Sequence, residues 1–498
     1  MIGNILLLTL AAIAPSDSLP PTAGDRLPGD TLTVALDDSS RLQRERTEAH
    51  AGRTAHPWRA AAEVVGTNLG ILAFDHYVLR SDFAQVTWHT IGRNLAPKRW
   101  YWDSDNFRTN LMEHPYHGSL YFDAARANGL SFYESVPYAV GGSLMWELAG
   151  ESEQPSINDF LTTTFGGVAI GEPLHRLQAH VYDNSLTGVQ RVCRELIGAV
   201  ISPMHALNRL LSGEAWRLAH PPDAAGDEHA EPPFRATVVL GARHWGTGGG
   251  RRNGLTAALR LSQGSPFMPE NTRPYDYFTA ETGIATGQRQ SIVSHVNVIG
   301  LLRGWMLGDG ERPSASIGIY HHFDYYATDS IRGRTPYCVS EAASVGLGLA
   351  ARWQRGRWLA QEEFFANAVA LGGTLSDYQD NPVKRIYSVG SGYSLKSVTT
   401  IACGQRLRFE LLADLKHLFS WHGYEDEDST KPYLTYSTMG ERGHTLLLLL
   451  RPRISWLFLP RWGVSGSLLH VRRHAHYKYR PNCSTTAFDL RCGLTYTF

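Results

Sequence analysis

The sequence predicts an α+β protein in two parts: an amino-terminal helical domain, then an antiparallel transmembrane β-barrel of about twelve strands. Helical periodicity up to about residue 218 predicts the first part, and two-residue alternation after residue 234 predicts the second. The third observation is the last stretch, AFDLRCGLTYTF. Its alternate residues from Phe488 to Phe498 are mostly apolar, while Asp489 and Arg491 fall on the other face, as in a strand between lipid and water.

The composition fits a barrel and excludes one class of partner. The 47 basic and 47 acidic side chains of the 498-residue chain cancel, so no net charge favours nucleic acid. Aromatic residues make up 11% of the chain and 48 residues are glycine, a mixture typical of barrels with aromatic girdles. Beyond the amino-terminus, no segment is long and apolar enough for a transmembrane helix, so an integral protein would cross the membrane as a barrel.

The amino-terminus is predicted to direct export. Residues 1–14 form a candidate signal peptide, with an apolar core from Ile5 to Ile13 and an A-x-A-like site at Ala12 to Ala14. The alternative is a hydrophobic helix of the mature fold, which the lack of Lys or Arg before the apolar run favours. Residues 15–57 are polar, charged and proline-bearing, and predict a disordered arm.

The helical domain is predicted at residues 58–218. Its helices are expected at 58–80, 81–94, 114–129, 135–149, from 155 or 156 through a kink at Pro173, and at 186–211. Pro115 suits the first turn of the third helix. Residues 219–233 are acidic and rich in proline, and predict a linker between the two parts.

The barrel is predicted at residues 234–498. Its twelve strands are expected near 234–245, 252–263, 275–286, 291–305, 314–327, 339–353, 357–371, 384–396, 402–419, 442–458, 462–477 and 487–498. Long polar connections such as SDYQDNPVK are expected to be outer loops, and tight ones such as LPRW to be periplasmic turns. The alternative is a soluble sandwich or lipocalin-like barrel, which would bury its apolar face inside and seldom needs this many residues.

Two of the predicted strands carry charges on one face. The stretches QRLRFELLADLKHLF and LLRPRISW place there Arg406, Arg408, Glu410, Asp414, Lys416, Arg451 and Arg453. Such a face needs water or opposite charges beside it. We expect these residues to line a hydrated lumen, where opposed charges pair across strands or bind a small polar solute.

The most distinctive local sequence lies in the helical domain. It contains Asn110, His114-Pro115, Gly118, Tyr121, Ala125-Arg126, Gly129, Gly142-Ser143, Trp146-Glu147, Pro155-Ser156, Asp159, Gly167 and Gly171-Glu172. This pattern resembles the DUF3943 family, a group of bacterial exported proteins of uncharacterised function. The resemblance implies an exported protein and supplies no activity.

The candidate catalytic residues of this region are His114, His117, Glu147 and Asp159, because imidazoles and carboxylates can serve as acid and base. Candidate binding residues are Asn110, Tyr121, Arg126, Glu151, Glu172 and Arg176. A structural interpretation competes with this one. Ser156 and Asp159 form an S-x-x-D helix cap, and Glu147 and Glu172 could pair with Arg126 and Arg176 inside a bundle. No spacing predicts a metal site, and no cofactor is predicted.

Three functions follow as hypotheses. The first is an outer-membrane channel or binding protein for a small polar solute, with a periplasmic helical domain that docks beneath or partly plugs the barrel. The second is an outer-membrane enzyme that acts on lipid or envelope glycan through the His114, His117 and Glu147 region. The third is a scaffold that recruits envelope partners. Outer-membrane lipid is an expected partner in each case. The ending Tyr496-x-Phe498 resembles the carboxy-terminal signature of outer-membrane barrels, which implies contact with the barrel assembly machinery during insertion.

Overall fold

A computed structural model describes residues 55–96, 100–218, 233–268, 273–287, 292–307, 314–378, 386–424 and 438–498. The predicted signal peptide, all but the last three residues of the predicted arm, and all but the last residue of the predicted linker lie outside the described residues.

The first part is helical, as predicted. Its α-helices are α1 (Pro57–Phe74), α2 (Trp88–Asn94), α3 (His114–Ala127), α4 (Phe132–Met145), α5 (Ile157–Leu161), α6 (Gly167–Ala179), α7 (Gly188–Ile201) and α8 (Pro203–Ser212). Four π-helical turns accompany them, at Asp75–Leu79, Thr109–Glu113, Trp146–Gly150 and Thr162–Gly166. The helix expected over 186–211 is divided at Ser202, because Pro203 has no backbone N–H with which to continue it.

Pro115 lies inside a longer helical segment and does not open it. Helical backbone begins at residue 107 and passes through the π turn Thr109–Glu113 into α3. A proline inside a helix removes one backbone hydrogen bond, and a wider turn next to it accommodates that loss. The α-helix itself begins at His114, as expected, and the π turn extends the helical backbone on its amino-terminal side by about two turns.

Glycines allow α3 and α6 to cross closely. A Cβ on Gly118 would lie 1.7 Å from the carbonyl oxygen of Thr163, and one on Gly167 would lie 2.5 Å from the Gly118 carbonyl carbon. Any side chain there would force the helices apart.

The second part is a closed antiparallel barrel of twelve strands, as predicted. The strands are β1 (Phe234–Thr247), β2 (Gly250–Gln263), β3 (Phe278–Ala285), β4 (Val293–Leu307), β5 (Ser314–Ala327), β6 (Cys338–Arg355), β7 (Trp358–Leu375), β8 (Tyr387–Cys403), β9 (Leu407–Ser420), β10 (Gly443–Leu457), β11 (Trp462–Tyr477) and β12 (Cys483–Thr497). Each pairs with its neighbours in sequence, and β12 pairs with β1 from Thr237↔Thr497 to Thr247↔Ala487.

The barrel is apolar outside and charged inside. On β9, Leu407 and Phe409 are exposed, whereas Asp414 and Lys416 are buried. Exposed tryptophans gather at the end of the barrel that carries the short turns: Trp305, Trp353, Trp358, Trp456 and Trp462. An apolar wall bordered by aromatic residues is the architecture of an outer-membrane β-barrel. The soluble alternative, which needs the opposite arrangement, is wrong.

The two ends of the barrel differ in most of their connections, although the tight turn 248–249 lies at the end of the longer connections and the connection 264–277 lies at the end of the short turns. One end carries the turns 356–357, 404–406 and 458–461, together with the start of β1 and the end of β12. The other end carries the longer connections 328–337, 376–386 and 421–442. In barrels of this type the short turns face the periplasm.

The helical domain lies along the outside of the barrel wall. Phe107 packs against Tyr325 of β5 and Tyr387 of β8, whose side chains point outward. Phe165 contacts His321 on the same outward face of β5. At the short-turn end, His180 stacks on Phe234. The expectation that this domain sits beneath or inside the barrel is therefore wrong, because alternation identifies outward positions without separating those that face lipid from those that face protein.

The surface of the last two helices is inverted relative to a water-soluble bundle. Val189, Val192 and Leu196 of α7 are exposed, whereas Arg191 is buried and donates to the Ala215 and Glu214 carbonyls. On α8, Leu207, Leu210 and Leu211 are exposed and Arg209 is buried. Trp216 and Leu218, in the segment after α8, are also exposed. Apolar residues outside and cations inside are typical of a surface that contacts lipid. No helix among the described residues has both the length and the apolarity needed to cross a bilayer.

Candidate functional site

Three of the four candidate catalytic residues meet in the helical domain, near the wall of the barrel. His114 lies where the π turn Thr109–Glu113 passes into α3, Glu147 lies in the π turn that ends α4, and Asp159 lies on α5. The His114 Nε2 atom is 3.6 Å from the Asp159 Oδ1 atom. Two of the three residues therefore come from, or directly follow, π-helical turns, which occur frequently at functional sites.

Glu147 is fully buried, and only one of its carboxylate oxygens has a partner. Its Oε2 atom accepts the backbone N–H of Ser156 at 2.7 Å. Its Oε1 atom has no hydrogen-bond partner among the described residues. A pairing of Glu147 with an arginine, one of the sequence interpretations, is not what holds this side chain. An unpartnered buried carboxyl oxygen is costly and calls for an explanation.

Asp159 and Asp103 complete the polar cluster. The backbone N–H of Asp159 donates to Ser156 Oγ at 3.2 Å, so the predicted S-x-x-D cap is present. The Asp159 Oδ1 atom also accepts from Asn158 Nδ2 at 2.8 Å. The Asn158 Oδ1 atom in turn accepts the backbone N–H of Asp103. The helix cap therefore also positions the Asp159 carboxylate beside His114.

Burial and mutual repulsion raise the pKa values of these carboxyl groups. Burial, then Asp159, raises the pKa of Glu147 well above its ordinary value, while His114 and the Ser156 N–H oppose the shift. Burial and the Glu147 charge do the same for Glu151. Burial, followed by the charge of Asp103, raises the pKa of Asp105 to about 6. Burial and the neighbouring Asp159 therefore favour the protonated form of Glu147, which can donate its proton.

His117 points away from this cluster. Its Nε2 atom lies 2.6 Å from Tyr121 Oη, and its ring packs edge-on against Trp146. Burial and the nearby His114 lower the pKa of His117 to about 3, so the imidazole is neutral at physiological pH. Tyr121 also hydrogen-bonds Asn68. His117 and Tyr121 therefore hold α3 against α1 and the end of α4.

The candidate binding residues divide between the cluster and two structural contacts. Glu151 lies at the partly exposed edge of the cluster. Asn110 donates to Tyr387 Oη at 2.8 Å and so joins the helical domain to the barrel. Glu172 is fully buried and paired with Arg126 at 2.9 Å and Arg176 at 2.8 Å, the network that the sequence suggested.

Four residues of the cluster were not among the candidates predicted from the sequence. Asp103, Asp105 and Tyr101 lie in a segment read as a loop, and Asn158 lay between two residues already explained as a cap. The Tyr101 hydroxyl donates to Glu153 at 3.0 Å and to Asp103 at 3.2 Å. The density of acidic and aromatic residues in YWDSD was the signal that could have found them.

The inward-facing charges of the barrel pair across the lumen. Lys416 Nζ lies 2.8 Å from Asp324 and from Asp414, and it also contacts Glu341. Arg453 pairs with Glu281 of β3 and with Glu410 of β9. Arg451 donates to Asn297 of β4. Arg408 is paired with Glu410 at 2.8 Å near the rim, and Arg406 lies exposed in the turn before β9.

These pairs leave little room inside. The cavity among them measures about 30 Å³ and is lined by Arg260, Glu281, Tyr326, Arg451, Arg453, Asp489 and Arg491, with smaller residues around them. That volume holds about two water molecules. Arg243 and Arg491 close the lumen further, because both pair with Asp489, at 2.8 and 2.7 Å.

The family model described as "Domain of unknown function (DUF3943)" matches residues 99–204, which include the stretch that carries the resemblance. That resemblance is confirmed. No curated protein matches the chain.

Several solved structures are similar to the barrel part of the chain. The NanC porin matches 52% of this chain and 98% of its own at 9% identity and a TM-score of 0.25. An outer membrane channel from Pseudomonas putida F1 matches 56% and 100% at 10% identity and a TM-score of 0.24. Outer membrane phospholipase A from Escherichia coli matches 56% and 94% at 10% identity and a TM-score of 0.24. Similarity this low carries no argument about function.

Proposed function

We propose that this protein is an outer-membrane enzyme whose helical domain hydrolyses an ester bond in a lipid. The observation that carries the proposal is the meeting of His114, Glu147 and Asp159, in which Glu147 is buried and one of its oxygens has no hydrogen-bond partner among the described residues. Burial also raises the pKa of Glu147 well above its ordinary value. A titratable pair whose environments differ in this way is typical of an acid and a base.

The chemistry assigns one role to each side chain. A water molecule adds to the ester carbonyl and gives its proton to His114, which Asp159 orients from 3.6 Å. The alcohol leaves with the proton of Glu147. Transfer of the proton from His114 to Glu147 then restores both groups. Water is the better nucleophile candidate, since the nearby Ser119 hydroxyl donates to the Tyr116 carbonyl at 2.6 Å.

The surface of the helical domain supports a lipid as substrate. The exposed apolar residues of α7 and α8, such as Val189 and Leu211, suit contact with acyl chains. The domain also lies against the outward wall of β5 and β8, next to the belt where lipid surrounds a barrel. The placement of this domain on the periplasmic side stays a prediction, and the contacts of Phe107 with Tyr325 and Tyr387, at the end of the longer connections, do not favour it.

The test is product release from vesicles of outer-membrane phospholipid and lipopolysaccharide, followed by mass spectrometry. Glu147→Gln, which resembles the protonated acid in shape, is expected to lower the rate by at least about 100-fold, because it has no proton to donate. Glu134→Gln, an exposed cap of α4, is the matched control and should keep the wild-type rate. Absence of any lipid product from the wild type, or full activity of Glu147→Gln, would overturn the proposal.

A channel for a small polar solute is the second candidate, because Arg260, Arg451 and Arg453 do face the lumen. The cross-lumen pairs and the small cavity oppose it. Planar-bilayer recording of the wild type decides between the two: we expect no stable conductance steps, and regular steps would favour the channel.

A further inference from the structure

A second group of potential ligands lies in the helical domain, away from the cluster described above. Asp123 on α3, His175 on α6 and His205 on α8 each present one ligand atom, and these atoms all lie within 4.8 Å of one another. Asp123 is nine residues beyond His114, or about 13 Å along the helix. The group is therefore a separate site.

We propose that Asp123, His175 and His205 bind one divalent transition-metal ion of the Zn²⁺ type. Two imidazoles and one carboxylate are a common ligand set for such ions, with water or substrate in the remaining position. The site joins three helices that are distant in sequence.

The spacing of the ligand atoms fits a shared ion. The Asp123 Oδ1 atom lies 3.7 Å from the His175 Nδ1 atom, which is too long for a hydrogen bond. Ligands about 2.0 to 2.1 Å from a tetrahedral ion lie roughly 3.3 Å from each other. A small inward shift of these side chains would accommodate the ion.

A neighbouring hydroxyl orients the carboxylate. Ser202 Oγ donates to Asp123 Oδ2 and leaves Oδ1 directed at His175. The Oδ1 atom is buried and accepts no hydrogen bond among the described residues. Outer partners of this kind fix the orientation of metal ligands.

The other close group of carboxylates carries no such inference. Asp324, Glu341 and Asp414 meet inside the barrel, but Lys396 and Lys416 already supply cations there. Asp123, by contrast, forms no ion pair with a lysine or arginine in the part of the chain that the structure describes; its charged neighbour within 4 Å is His175. A metal ion would therefore supply a positive charge at the helical site, whereas the barrel carboxylates already have lysines beside them.

The test uses the full-length chain in detergent after removal of metal by a chelator. Addition of Co²⁺ is expected to produce visible ligand-field absorption that saturates at one ion and is displaced by Zn²⁺. Asp123→Asn, which preserves volume, and His175→Ala should each weaken binding by more than about 100-fold. Ser202→Ala should weaken it by roughly 10-fold, since it only orients a ligand.

A second pair of imidazoles provides the matched control. His417 and His444 lie 3.0 Å apart on the outward face of the barrel, so the double variant His417→Ala/His444→Ala should keep the absorption band. Zn²⁺ should also raise the unfolding temperature of the wild type and leave that of Asp123→Asn unchanged. A wild type that binds no Co²⁺, a band that survives in Asp123→Asn and His175→Ala, or a band lost only in the His417/His444 variant would each overturn the proposal.

Discussion

The barrel interior and the helical cluster both bury several carboxylates, but they neutralise them differently. Inside the barrel, Asp324, Glu341 and Asp414 share the ammonium groups of Lys396 and Lys416. In the helical domain, Glu147 is opposed by the His114 imidazole and by one backbone N–H. The barrel charges are therefore paired, whereas the environment of the helical cluster favours a protonated carboxyl group.

This difference distinguishes carboxylates that stabilise the fold from a carboxyl group that is able to act as an acid. A carboxylate held by lysine at hydrogen-bond distance has little capacity left to exchange protons, and it stabilises the wall that it crosses. A buried carboxyl group without such a cation remains an acid near neutral pH. Burial of a carboxyl group does not by itself identify a catalytic site. The presence or absence of a neighbouring cation distinguishes a catalytic carboxyl group from a structural one.

The largest expected effect comes from breaking the paired side of the comparison. Lys416→Met removes one of the two cations that three buried carboxylates share and leaves Lys396 alone to balance them. Breaking a buried pair from one side costs about 3 to 5 kcal/mol, so the free energy of unfolding should fall by that amount. Urea unfolding in detergent, followed by gel mobility of the folded barrel, measures it.

The matched control is Lys478→Ala, a lysine in an exposed connection of the same barrel. It should change the free energy of unfolding by less than about 0.5 kcal/mol. Equal stability of Lys416→Met and the wild type would mean that the carboxylates are not held by lysine.

A smaller effect is expected where the two regions meet. Tyr387 Oη accepts from Asn110 and donates to the Asp105 carbonyl, both at 2.8 Å. Tyr387→Phe should lower the free energy of unfolding of the helical domain by about 1 to 2 kcal/mol, because buried partners lose their hydrogen bonds. Tryptophan fluorescence during unfolding measures it. Tyr393→Phe on the same strand is the control, since that side chain is exposed. A larger loss of unfolding free energy in Tyr393→Phe than in Tyr387→Phe would contradict the role of Tyr387 in joining the two regions.

The third expected effect is on the pH dependence of the free energy of unfolding. Because the pKa of Glu147 is raised in the folded state, the folded protein binds more protons than the unfolded one above the ordinary value of 4.5. Stability of the helical domain should therefore fall as pH rises from about that value, and Glu147→Gln should flatten the fall. Chemical unfolding at several pH values measures this slope.

The control is Glu134, whose contribution to stability changes with pH in the opposite direction to that of Glu147. The pKa of Glu134 is lowered by the backbone and side-chain hydrogen bonds of Ser131, so its contribution is lost as pH falls. Glu134→Gln should leave the alkaline slope of the wild type unchanged. A slope that persists in Glu147→Gln would show that another group holds the proton.

The sequence predicted the barrel well because each strand repeats one simple rule. Leu407 and Phe409 face outward and Lys416 inward, as alternation requires. The helical domain was harder. The sequence predicted its helices but not their position on the outer wall of the barrel. That position depends on which outward side chains contact protein, as Tyr325 and Phe323 do, and which contact lipid. Alternation is the same in both cases.

The site was partly predictable for the same kind of reason. His114, Glu147 and Asp159 stand out as residue types within a distinctive pattern. Asp103 comes to the cluster through the side chain of Asn158, a contact between residues far apart in sequence. His117 was grouped with the others by helical spacing, but Tyr121 engages its ring nitrogen. Helical spacing identifies a shared face and does not show which partner that face meets.

Infrared difference spectroscopy at neutral pH tests the central claim most directly, because a protonated carboxylic acid has a carbonyl stretch distinct from that of a carboxylate. The wild type minus Glu147→Gln spectrum is expected to show this band at pH 7. A spectrum that shows only a carboxylate band at that position would contradict the claim that Glu147 holds a proton.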